Sequence, residues 1–599
     1  MKTNVGFLSN IAWALRIVWR SGRTLTVATA ILVLLNGTLP LAALYLMKLT
    51  VDSVSASLSG LDKIAGFADA TFLILLLGSV FLLEAVLGSL TNLVSTALAQ
   101  IVTDRMHDIL HAKSVEMDLE YYENSKYYDT LHRAQQEAPF RPTQILTSLL
   151  QLGQSATSLI AITALLLSLH WAVPAFLIAA AIPGVLVRFR FAAKFFLWQR
   201  GRTSTERQAS YFDWMLSRDT HAKEIRLFNL GGLFVERFQK LRTQIRQEKL
   251  RLAVKRSLAE LTTQLGPTVA IIGLYAFLIN RALYGLVTLG GLVMFVQAIQ
   301  RGQTYLNQFL SSIVGLYENN LFLSNVQEFL TLKPKIVEPL HPMLLRGSPQ
   351  QGIVFHNVGF QYPSSDKKVL ENINLTIRPG EHIALVGENG AGKTTLIKLL
   401  CRLHDATEGV ITFNGVDLRE LGLKDLRRQI SIVFQDYAHY QQTAGDNIWF
   451  GNIDLPADDK RIAEAAHQAG AAEIIAGLRN GYGTMLGKWF ENGEELSIGE
   501  WQKIALARAF LRQSEIIVLD EPTSFMDAKA EYEFFERFHY LMKHKTALLI
   551  SHRLSTVRMA DCIYVLDGGK IVERGTHDRL VCHGGKYASL FETQAQYYR

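Results

Sequence analysis

Residues 382–400, "HIALVGENGAGKTTLIKLL", form the pattern of a strand, a glycine-rich loop and the start of a helix. Gly387, Gly392, Lys393 and Thr394 fill the pattern G-x-x-x-x-G-K-[ST]. In this pattern, glycines let backbone N–H groups close around phosphates at a helix N-terminus, the lysine reaches the outer phosphates and the threonine hydroxyl can face Mg²⁺. A chance glycine turn would not explain the strand and the helix on either side. We therefore predict a phosphate cradle. Three neighbours are assigned to it: Asn389, Gly390 and Thr395.

A second stretch, "IIVLDEP" at residues 516–522, supplies the acidic half of the site. An apolar strand leads to Asp520, which can enter the coordination shell of Mg²⁺. Glu521 follows as the candidate base that polarises an attacking water. Acidic residues at strand ends are common, so this pair gains its meaning from the cradle upstream. Together the two stretches predict a site that binds and hydrolyses a nucleoside triphosphate.

The first half of the chain is strongly apolar. Of the 599 residues, 49% are hydrophobic, and the long apolar runs lie before about residue 325. A helix needs roughly 20 apolar residues to cross a membrane, because its backbone polar groups must be paired internally. Six segments qualify, the last being the least apolar: residues 24–47, 67–90, 143–169, 173–191, 258–279 and 289–309.

The connections between these segments predict the orientation in the membrane. Short loops alternate with two long, charged, helix-patterned stretches, residues 100–136 and 201–255, and the second is rich in Lys and Arg. The positive-inside rule places these stretches and both termini in the cytoplasm, and we expect the plasma or inner membrane as the location. In a membrane protein, basic cytoplasmic segments near the helix ends are the first explanation for a net charge of +7, so no nucleic acid partner is inferred. The three cysteines lack metal-ligand or paired spacing, which suits a reducing compartment.

Composition also divides the chain into parts. Residues 1–23 carry an apolar stripe beside three arginines and lack a small-residue cleavage site, which favours an interfacial helix over a signal peptide. A transmembrane domain with long cytoplasmic helical extensions is expected at 24–330 and a proline-containing linker at 331–350. Short strands alternating with helices predict an α/β domain at 351–599. The predicted fold class is a multi-domain protein, with an all-α transmembrane domain of six long helices followed by an α/β P-loop nucleotide-binding domain.

These features resemble an ATP-binding cassette (ABC) exporter, specifically a half-transporter with six transmembrane helices and one nucleotide-binding domain. The resemblance covers nearly the whole chain and implies ATP and Mg²⁺ as cofactors. It implies roles for four further residues: Tyr362 stacks on adenine, Gln435 lies near Mg²⁺ and the membrane domain, Asp527 lies in the D-loop, and His552 contacts the γ-phosphate. Taken singly, each could be an ordinary packed or polar residue, but their order relative to Lys393 and Asp520 makes that improbable. The expected catalytic residues are Glu521, His552 and Gln435, and the expected Mg²⁺ ligands are Thr394, Gln435 and Asp520.

The stretch "LSIGEWQK", residues 496–503, resembles the family signature LSGGQ with two departures, Ile498 and Glu500. In the family this motif closes the ATP site of the other subunit, and here Ser497 and Gly499 remain at the head of a predicted helix. We interpret the motif as altered but functional, because phosphate binding depends mainly on those two residues. A second copy of the chain is the expected partner. A heterodimer with a related half-transporter and one weakened site is the alternative.

The resemblance implies ATP-driven export or flipping of a hydrophobic or amphipathic substrate by alternating access. Lipids, drugs, peptides and glycoconjugates all remain open. An ATP-gated or regulatory membrane subunit, a membrane-anchored P-loop ATPase and an importer are the weaker alternatives. Short coupling helices are expected near residues 121–128 and 217–228. Four polar residues within the spans are candidates to line a substrate cavity: Glu84, Arg188, Gln297 and Arg301.

Overall fold

The computed structural model describes residues 7–59, 63–343, 351–363, 365–523, 545–551 and 553–596, and individually residues 531, 534, 536 and 538. These residues form two compact units. Unit 1 comprises Met1–Met117 and Ser125–Lys333, and unit 2 comprises Asp118–Asn124 and Pro334–Arg599. The chain therefore contributes a seven-residue segment to unit 2 long before the main part of that unit begins.

Unit 1 is built of helices. In the spans of the long helices, apolar residues occur on all sides of the helix. These helices therefore expose many large hydrophobic side chains, as expected for segments that lie in lipid. The helices are α1 (Phe7–Ser21), α2 (Arg23–Ser59), α3 (Lys63–Glu116), α5 (Ser125–Glu137), α6 (Arg141–Leu167), α7 (Ala172–Ser217), α8 (Ala222–Leu227), α9 (Gly231–Leu283) and α10 (Leu289–Leu330). The short helix α4 (Leu119–Tyr122) lies in unit 2.

Five of the described helices are long and apolar enough to cross a membrane, namely α2, α3, α6, α7 and α9. The sixth expected span, residues 289–309, lies within α10, which is 42 residues long but is not among the five. Polar side chains such as Gln297, Gln300 and Arg301 lower its hydropathy. In the described part of the chain, unit 1 thus contains six long helices, five of which meet the length and composition of a membrane span, and the sequence was right that the segment at 289–309 is the least apolar.

Unit 2 is an α/β fold with two sheets. The four-stranded antiparallel sheet has the order β2–β1–β4–β5, and the six-stranded sheet has the order β10–β9–β3–β8–β7–β6. In the larger sheet β10 pairs antiparallel with β9, and the remaining neighbours are parallel. The strands are β1 (Ile353–Gln361), β2 (Lys368–Ile377), β3 (His382–Val386), β4 (Glu408–Phe413), β5 (Val416–Asp417), β6 (Ile430–Val433), β7 (Ile516–Asp520), β8 (Thr546–Ile550), β9 (Cys562–Asp567) and β10 (Lys570–Gly575).

Helices cover the sheets of unit 2, and the parallel strands are buried along nearly their whole length, which explains their continuous apolar runs. The helices are α11 (Lys393–Leu400), α12 (Leu423–Arg428), α13 (Ala444–Trp449), α14 (Lys460–Gln468), α15 (Ala472–Gly477), α16 (Ile498–Leu511), α17 (Leu554–Val557), α18 (His577–His583) and α19 (Lys586–Gln596). Because β3 and β7 are parallel strands of one sheet, their carboxyl ends lie at the same edge, where ligands bind in such folds. The predicted fold class is confirmed.

Candidate nucleotide site

A cavity of about 460 Å³ lies at the carboxyl edge of the large sheet in unit 2. Nine predicted site residues line it: Asn389, Gly390, Gly392, Lys393, Thr394, Thr395, Gln435, Asp520 and Glu521. They come from the loop after β3, the first turn of α11, the residues after β6 and the end of β7. The fold thus brings together residues that are up to about 130 positions apart in the sequence.

Glycines give the loop before α11 its path. Gly390 has φ +81°, and Gly392, the N-cap of α11, has φ +106°. Residues with a Cβ rarely adopt such left-handed conformations. A Cβ on Gly392 would lie 2.6 Å from Leu370 Cδ2, and one on Gly387 would lie 2.2 Å from the carbonyl oxygen of Leu566. The loop therefore requires glycine both for its backbone angles and for its close packing.

Lys393 is buried at the head of α11. Its Nζ donates to the carbonyl oxygens of Gly387 at 2.7 Å and Glu388 at 2.9 Å. Burial lowers the pKa of the ammonium, and the nearby carboxylates of Glu521 and Asp520 partly oppose this shift. The lysine is thus held over its own loop, where a phosphate oxygen could replace either carbonyl.

Asp520 at the end of β7 is 3% exposed. The Thr394 hydroxyl donates to its Oδ2 at 3.2 Å. Burial raises the pKa of Asp520 to about 6, and the hydrogen bond from Thr394 only partly offsets this. A buried carboxylate, a hydroxyl and the nearby Gln435 amide are oxygen donors of the kind that Mg²⁺ prefers, so the residues fit that ion.

Glu521 has a feature that the sequence did not reveal: its φ is +53°, which is uncommon for a residue with a side chain. Its N–H donates to the carbonyl of Ile550 at 2.8 Å, and Gln435 Nε2 donates to its Oε2 at 3.0 Å. Gln502 Nε2 in α16 donates to its carbonyl oxygen at 3.4 Å. Such a conformation persists only where the surroundings impose it, and it directs the carboxylate into the cavity.

Gln502 is the functional neighbour that sequence reasoning missed. It is almost fully buried and links the helix of the signature stretch to the residue after Asp520. The signal available in the sequence was a glutamine three positions after Gly499, just before an apolar stretch of the predicted helix. A buried carboxamide needs a hydrogen-bond partner, and the backbone at the end of β7 supplies one to Gln502.

Tyr362 follows β1 and lies beside the cradle without lining the cavity. Its hydroxyl hydrogen-bonds to Thr395 Oγ1 at 3.1 Å. Phe360 and His404 meet the ring edge-on, and Lys398 Nζ lies over the ring, 5.6 Å from its centroid. Because the ammonium covers one face, only the opposite face can be offered to a base.

Ser497 and Gly499 lie at the start of α16 and are absent from the described lining of the cavity in the same chain. Ser497 is the N-cap residue. Its Oγ accepts from the N–H of Glu500 at 3.4 Å, while Glu500 Oε2 accepts from the N–H of Ser497 at 2.7 Å. This reciprocal pair is a capping box. Glu500, one of the two departures from the signature, therefore stabilises the helix start, and Ile498 is 53% exposed.

Two predicted site residues, Asp527 and His552, lie outside the described residues. The remaining one, Gly387, precedes the lining residues and supplies a carbonyl to Lys393. The predicted roles of all these residues stay predictions, because geometry alone does not test them.

The segment Asp118–Asn124 makes polar contacts within unit 2. Glu123 Oε1 lies 2.7 Å from Lys398 Nζ, and Glu123 Oε2 lies 3.1 Å from His404 Nε2. Burial lowers the pKa of His404, and the carboxylate of Glu123 opposes this shift. Part of the expected coupling segment at 121–128 therefore contacts α11, the helix that begins with Lys393.

The fold and the cavity define a P-loop nucleotide-binding protein whose chain also contains membrane-spanning helices. A family model described as ABC transporter matches residues 370–524. The subtilin transport ATP-binding protein SpaT of Bacillus subtilis is 31% identical over 490 residues, which cover 80% of this chain and 78% of that protein. The chain belongs to the ABC transporter family, which confirms the resemblance seen in the sequence. ATP hydrolysis coupled to transport is the activity of this class.

Two further relatives are similar in sequence, and one solved structure is similar in fold. The nisin transport ATP-binding protein NisT of Lactococcus lactis subsp. lactis is 27% identical over 97% of this chain and 95% of that protein. An ATP-dependent lipid A-core flippase of Syntrophus aciditrophicus (strain SB) is 41% identical over 48% of this chain and 49% of that protein. A solved structure of a bacterial Atm1-family ABC exporter with ATP bound superimposes with a TM-score of 0.83 at 23% identity. It covers 95% of this chain and 99% of that one.

The raised pKa of Asp520 predicts a pH-dependent stability. The unfolded chain loses this proton near pH 4, whereas the folded chain keeps it up to about pH 6. The free energy of unfolding therefore falls as pH rises from about 4 to 6, by up to about 3 kcal/mol in total. Asp520→Asn should therefore raise the unfolding temperature at pH 7.5 without Mg²⁺ or nucleotide, and the gain should shrink at pH 5. Scanning fluorimetry of the full chain measures this. Asp458→Asn, at an exposed position, is the control, and an equal gain at both pH values would refute the burial argument.

The capping box predicts how the altered signature responds to substitution. Glu500→Gln should leave ATP turnover within about threefold of wild type, because a glutamine oxygen also accepts from the N–H of Ser497. Glu500→Ala should weaken the helix start by about 1 kcal/mol and lower turnover further. Ser497→Phe should nearly abolish turnover. These rates are measured on purified protein in lipid. A rise of about tenfold in Glu500→Gln would instead mean that the negative charge impairs the site.

Proposed function

We propose that the chain is half of a homodimeric exporter that moves an amphipathic substrate across the membrane, with its nucleotide-binding domain in the cytoplasm. The observation that carries this proposal is the convergence of Lys393, Thr394, Asp520 and Glu521 on one cavity of a chain that also has long membrane helices. The relatives that transport subtilin or nisin, or flip lipid A-core, support a substrate with both polar and apolar parts.

The proposed mechanism assigns each residue one task. Backbone N–H groups of the glycine loop and Lys393 bind the β- and γ-phosphates. As the water oxygen attacks the γ-phosphorus and the bond from that phosphorus to the bridging oxygen breaks, a carboxylate oxygen of Glu521 accepts a proton from the water. Gln435 orients that carboxylate. Thr394, Asp520 and Gln435 would hold Mg²⁺, which neutralises phosphate charge when bound. Tyr362 would stack on adenine with its uncovered face.

Two observations favour a dimer. Ser497 lies outside the described lining of its own cavity, so the signature helix is available to close the site of another chain. In addition, two exposed apolar residues mark the end of α8: its last residue, Leu227, at 78% exposure, and the next residue, Phe228, at 64%. Such a pair on a short helix outside the spans fits a surface that a second chain covers. We propose that this surface docks on the nucleotide-binding domain of the partner subunit.

The family's domain boundaries are proposed with the function: an interfacial helix at 1–23, a transmembrane domain at 24–330, a linker at 331–350 and a nucleotide-binding domain at 351–599. Predicted roles for Asp527 and His552 are part of the same proposal.

The first test is Glu521→Gln. Loss of the base should lower ATP turnover by about a hundredfold or more while ATP still binds, because the cradle is unchanged. ATP-dependent uptake of a hydrophobic dye into inside-out vesicles should be lost in parallel. Glu515→Gln, at an exposed position just before β7, should behave as wild type. Turnover in Glu521→Gln within a few-fold of wild type would contradict the assignment of the base.

The second test concerns the dimer. Leu227→Asp combined with Phe228→Asp should lower ATP turnover at least about tenfold, because two charges would have to be buried against the partner. Val235→Asp, at an exposed position of α9, is the control. Turnover and the mass of the purified complex are measured for each variant. If wild type alone is inactive and a related half-transporter restores turnover, the chain is half of a heterodimer.

A further inference from the structure

The membrane part of unit 1 contains a polar cavity of about 340 Å³ between α7, α9 and α10. Its polar lining includes Arg188, Glu260, Gln264, Gln303 and Asn307. Polar side chains within membrane helices are costly and mark functional sites unless they are paired. Of the four intramembrane polar residues singled out in the sequence, Arg188 lines this cavity, and the other three do not.

The depth of the cavity follows from helix geometry. At 1.5 Å per residue, Arg188 lies about 24 Å from the first residue of α7, and Gln303 lies about 21 Å from the first residue of α10. Gln264 lies about 28 Å from the last residue of α9. These helix ends belong to the short connections on the predicted outer side. With these helix ends taken as the outer edge of a hydrocarbon layer of about 30 Å, the predicted orientation places the cavity in the cytoplasmic third.

The charges at the cavity are paired among themselves. Glu260 Oε1 lies 2.9 Å from Arg256 Nε and 3.8 Å from Arg188 Nε. Arg188 also donates to the hydroxyl of Ser311. A carboxylate in the lining disfavours a phosphate, and the guanidinium of Arg188 is already engaged. The cavity therefore does not present the free cationic cluster that an anionic head group requires.

The carboxamides, in contrast, are free to bind. The side chains of Gln264, Gln303 and Asn307 make no hydrogen bond to another residue in the described part of the chain. Each offers two N–H donors and one carbonyl acceptor. The hydroxyls of Thr263 and Thr268 already donate to carbonyls of α9. Three unpaired carboxamides in one cavity match a ligand that has both N–H donors and C=O acceptors.

A proline adds a backbone acceptor. Pro267 lies inside α9 and has no N–H, so it cannot bond the carbonyl of Thr263 one turn earlier. Thr263 and Pro267 both line the cavity. Gly184 of α7 lies opposite, where an added Cβ would be 3.6 Å from Thr263 Oγ1. Gly184 thus lets α7 pack close to Thr263 at the wall of the cavity.

We propose that this cavity binds a neutral, amide-rich part of the exported substrate, that is, a short segment of peptide backbone, from the cytoplasmic side. The volume is at the lower end for ligand pockets and suits a few backbone units, with the apolar remainder of the substrate in the surrounding lipid or between helices. This inference rests on the proposed export function and names its substrate class as peptide.

The test uses three radiolabelled probes that share one lauroyl chain: lauroyl-triglycine amide, the corresponding analogue with esters in place of the internal amides, and lauryl phosphate. Binding to the full chain in lipid nanodiscs without nucleotide is measured against empty nanodiscs. The triglycine amide should bind at least about tenfold more tightly than the other two, because each lost amide N–H leaves a carboxamide oxygen unpaired. Tighter binding of lauryl phosphate, or equal binding of amide and ester, would overturn the proposal.

Variants locate the site. Gln264→Met combined with Gln303→Met preserves side-chain volume and should weaken binding of the triglycine amide at least about tenfold. Gln300→Met changes an exposed residue of α10 that does not line the cavity, and should leave binding within about twofold. Wild-type affinity in the double variant would overturn the assignment. The comparison of the amide and ester probes on wild type decides the question even if the double variant does not fold.

The binding measurement is independent of ATP, so the two proposals can fail separately. Loss of amide selectivity together with Glu521-dependent ATP turnover would reject the peptide class and leave export intact. Amide binding in a chain whose ATP turnover ignores Glu521→Gln would reject the export mechanism alone.

Discussion

The tight turn between β3 and α11 is the constraint on which the nucleotide site depends. Neither Gly387 nor Gly392 has room for a Cβ, since backbone and side-chain atoms of neighbouring strands lie within 3 Å of where it would stand. This packing fixes the start of α11, and with it Lys393 and Thr394. Because β7 is a parallel strand of the same sheet, its last residue, Asp520, meets Thr394 at that edge. One loop path therefore positions a cation, a hydroxyl and a carboxylate together.

Much of this arrangement could be predicted from the sequence because it is local. The cradle motif, the strand before Asp520 and the apolar spans are each encoded in fewer than about 30 consecutive residues, and short-range patterns identify such elements. Features that depend on contacts distant in sequence were not accessible. The left-handed backbone of Glu521 is imposed by Ile550 and accompanied by bonds from Gln435 and Gln502, none of which a linear pattern connects to it.

Glu500 shows the opposite case, a local rule that was available but was outweighed by the family pattern. Ser497 followed by Glu at the third position is the sequence of a capping box, yet comparison with LSGGQ presented Glu500 only as a departure from the family signature. The structure shows that the carboxylate is engaged with the N–H of Ser497. In unit 1 the sequence singled out charged and polar residues within the spans, but it could not tell which of them pair. Arg188 and Glu260 lie 72 positions apart on different helices, and only their packing shows that their charges offset each other.

The segment Asp118–Asn124 has a consequence for the order in which the protein forms during synthesis. Glu123 and Lys398 are separated by 275 positions, so this segment leaves the ribosome long before its partners exist. Loop closure over such a distance is slow compared with local helix formation. Unit 2 therefore cannot complete its native contacts until the rest of the membrane helices have been made. The helices of unit 1 are therefore synthesised before unit 2 can be completed. A cleaved chain that begins at Pro334 would lack the contacts that Glu123 supplies to α11.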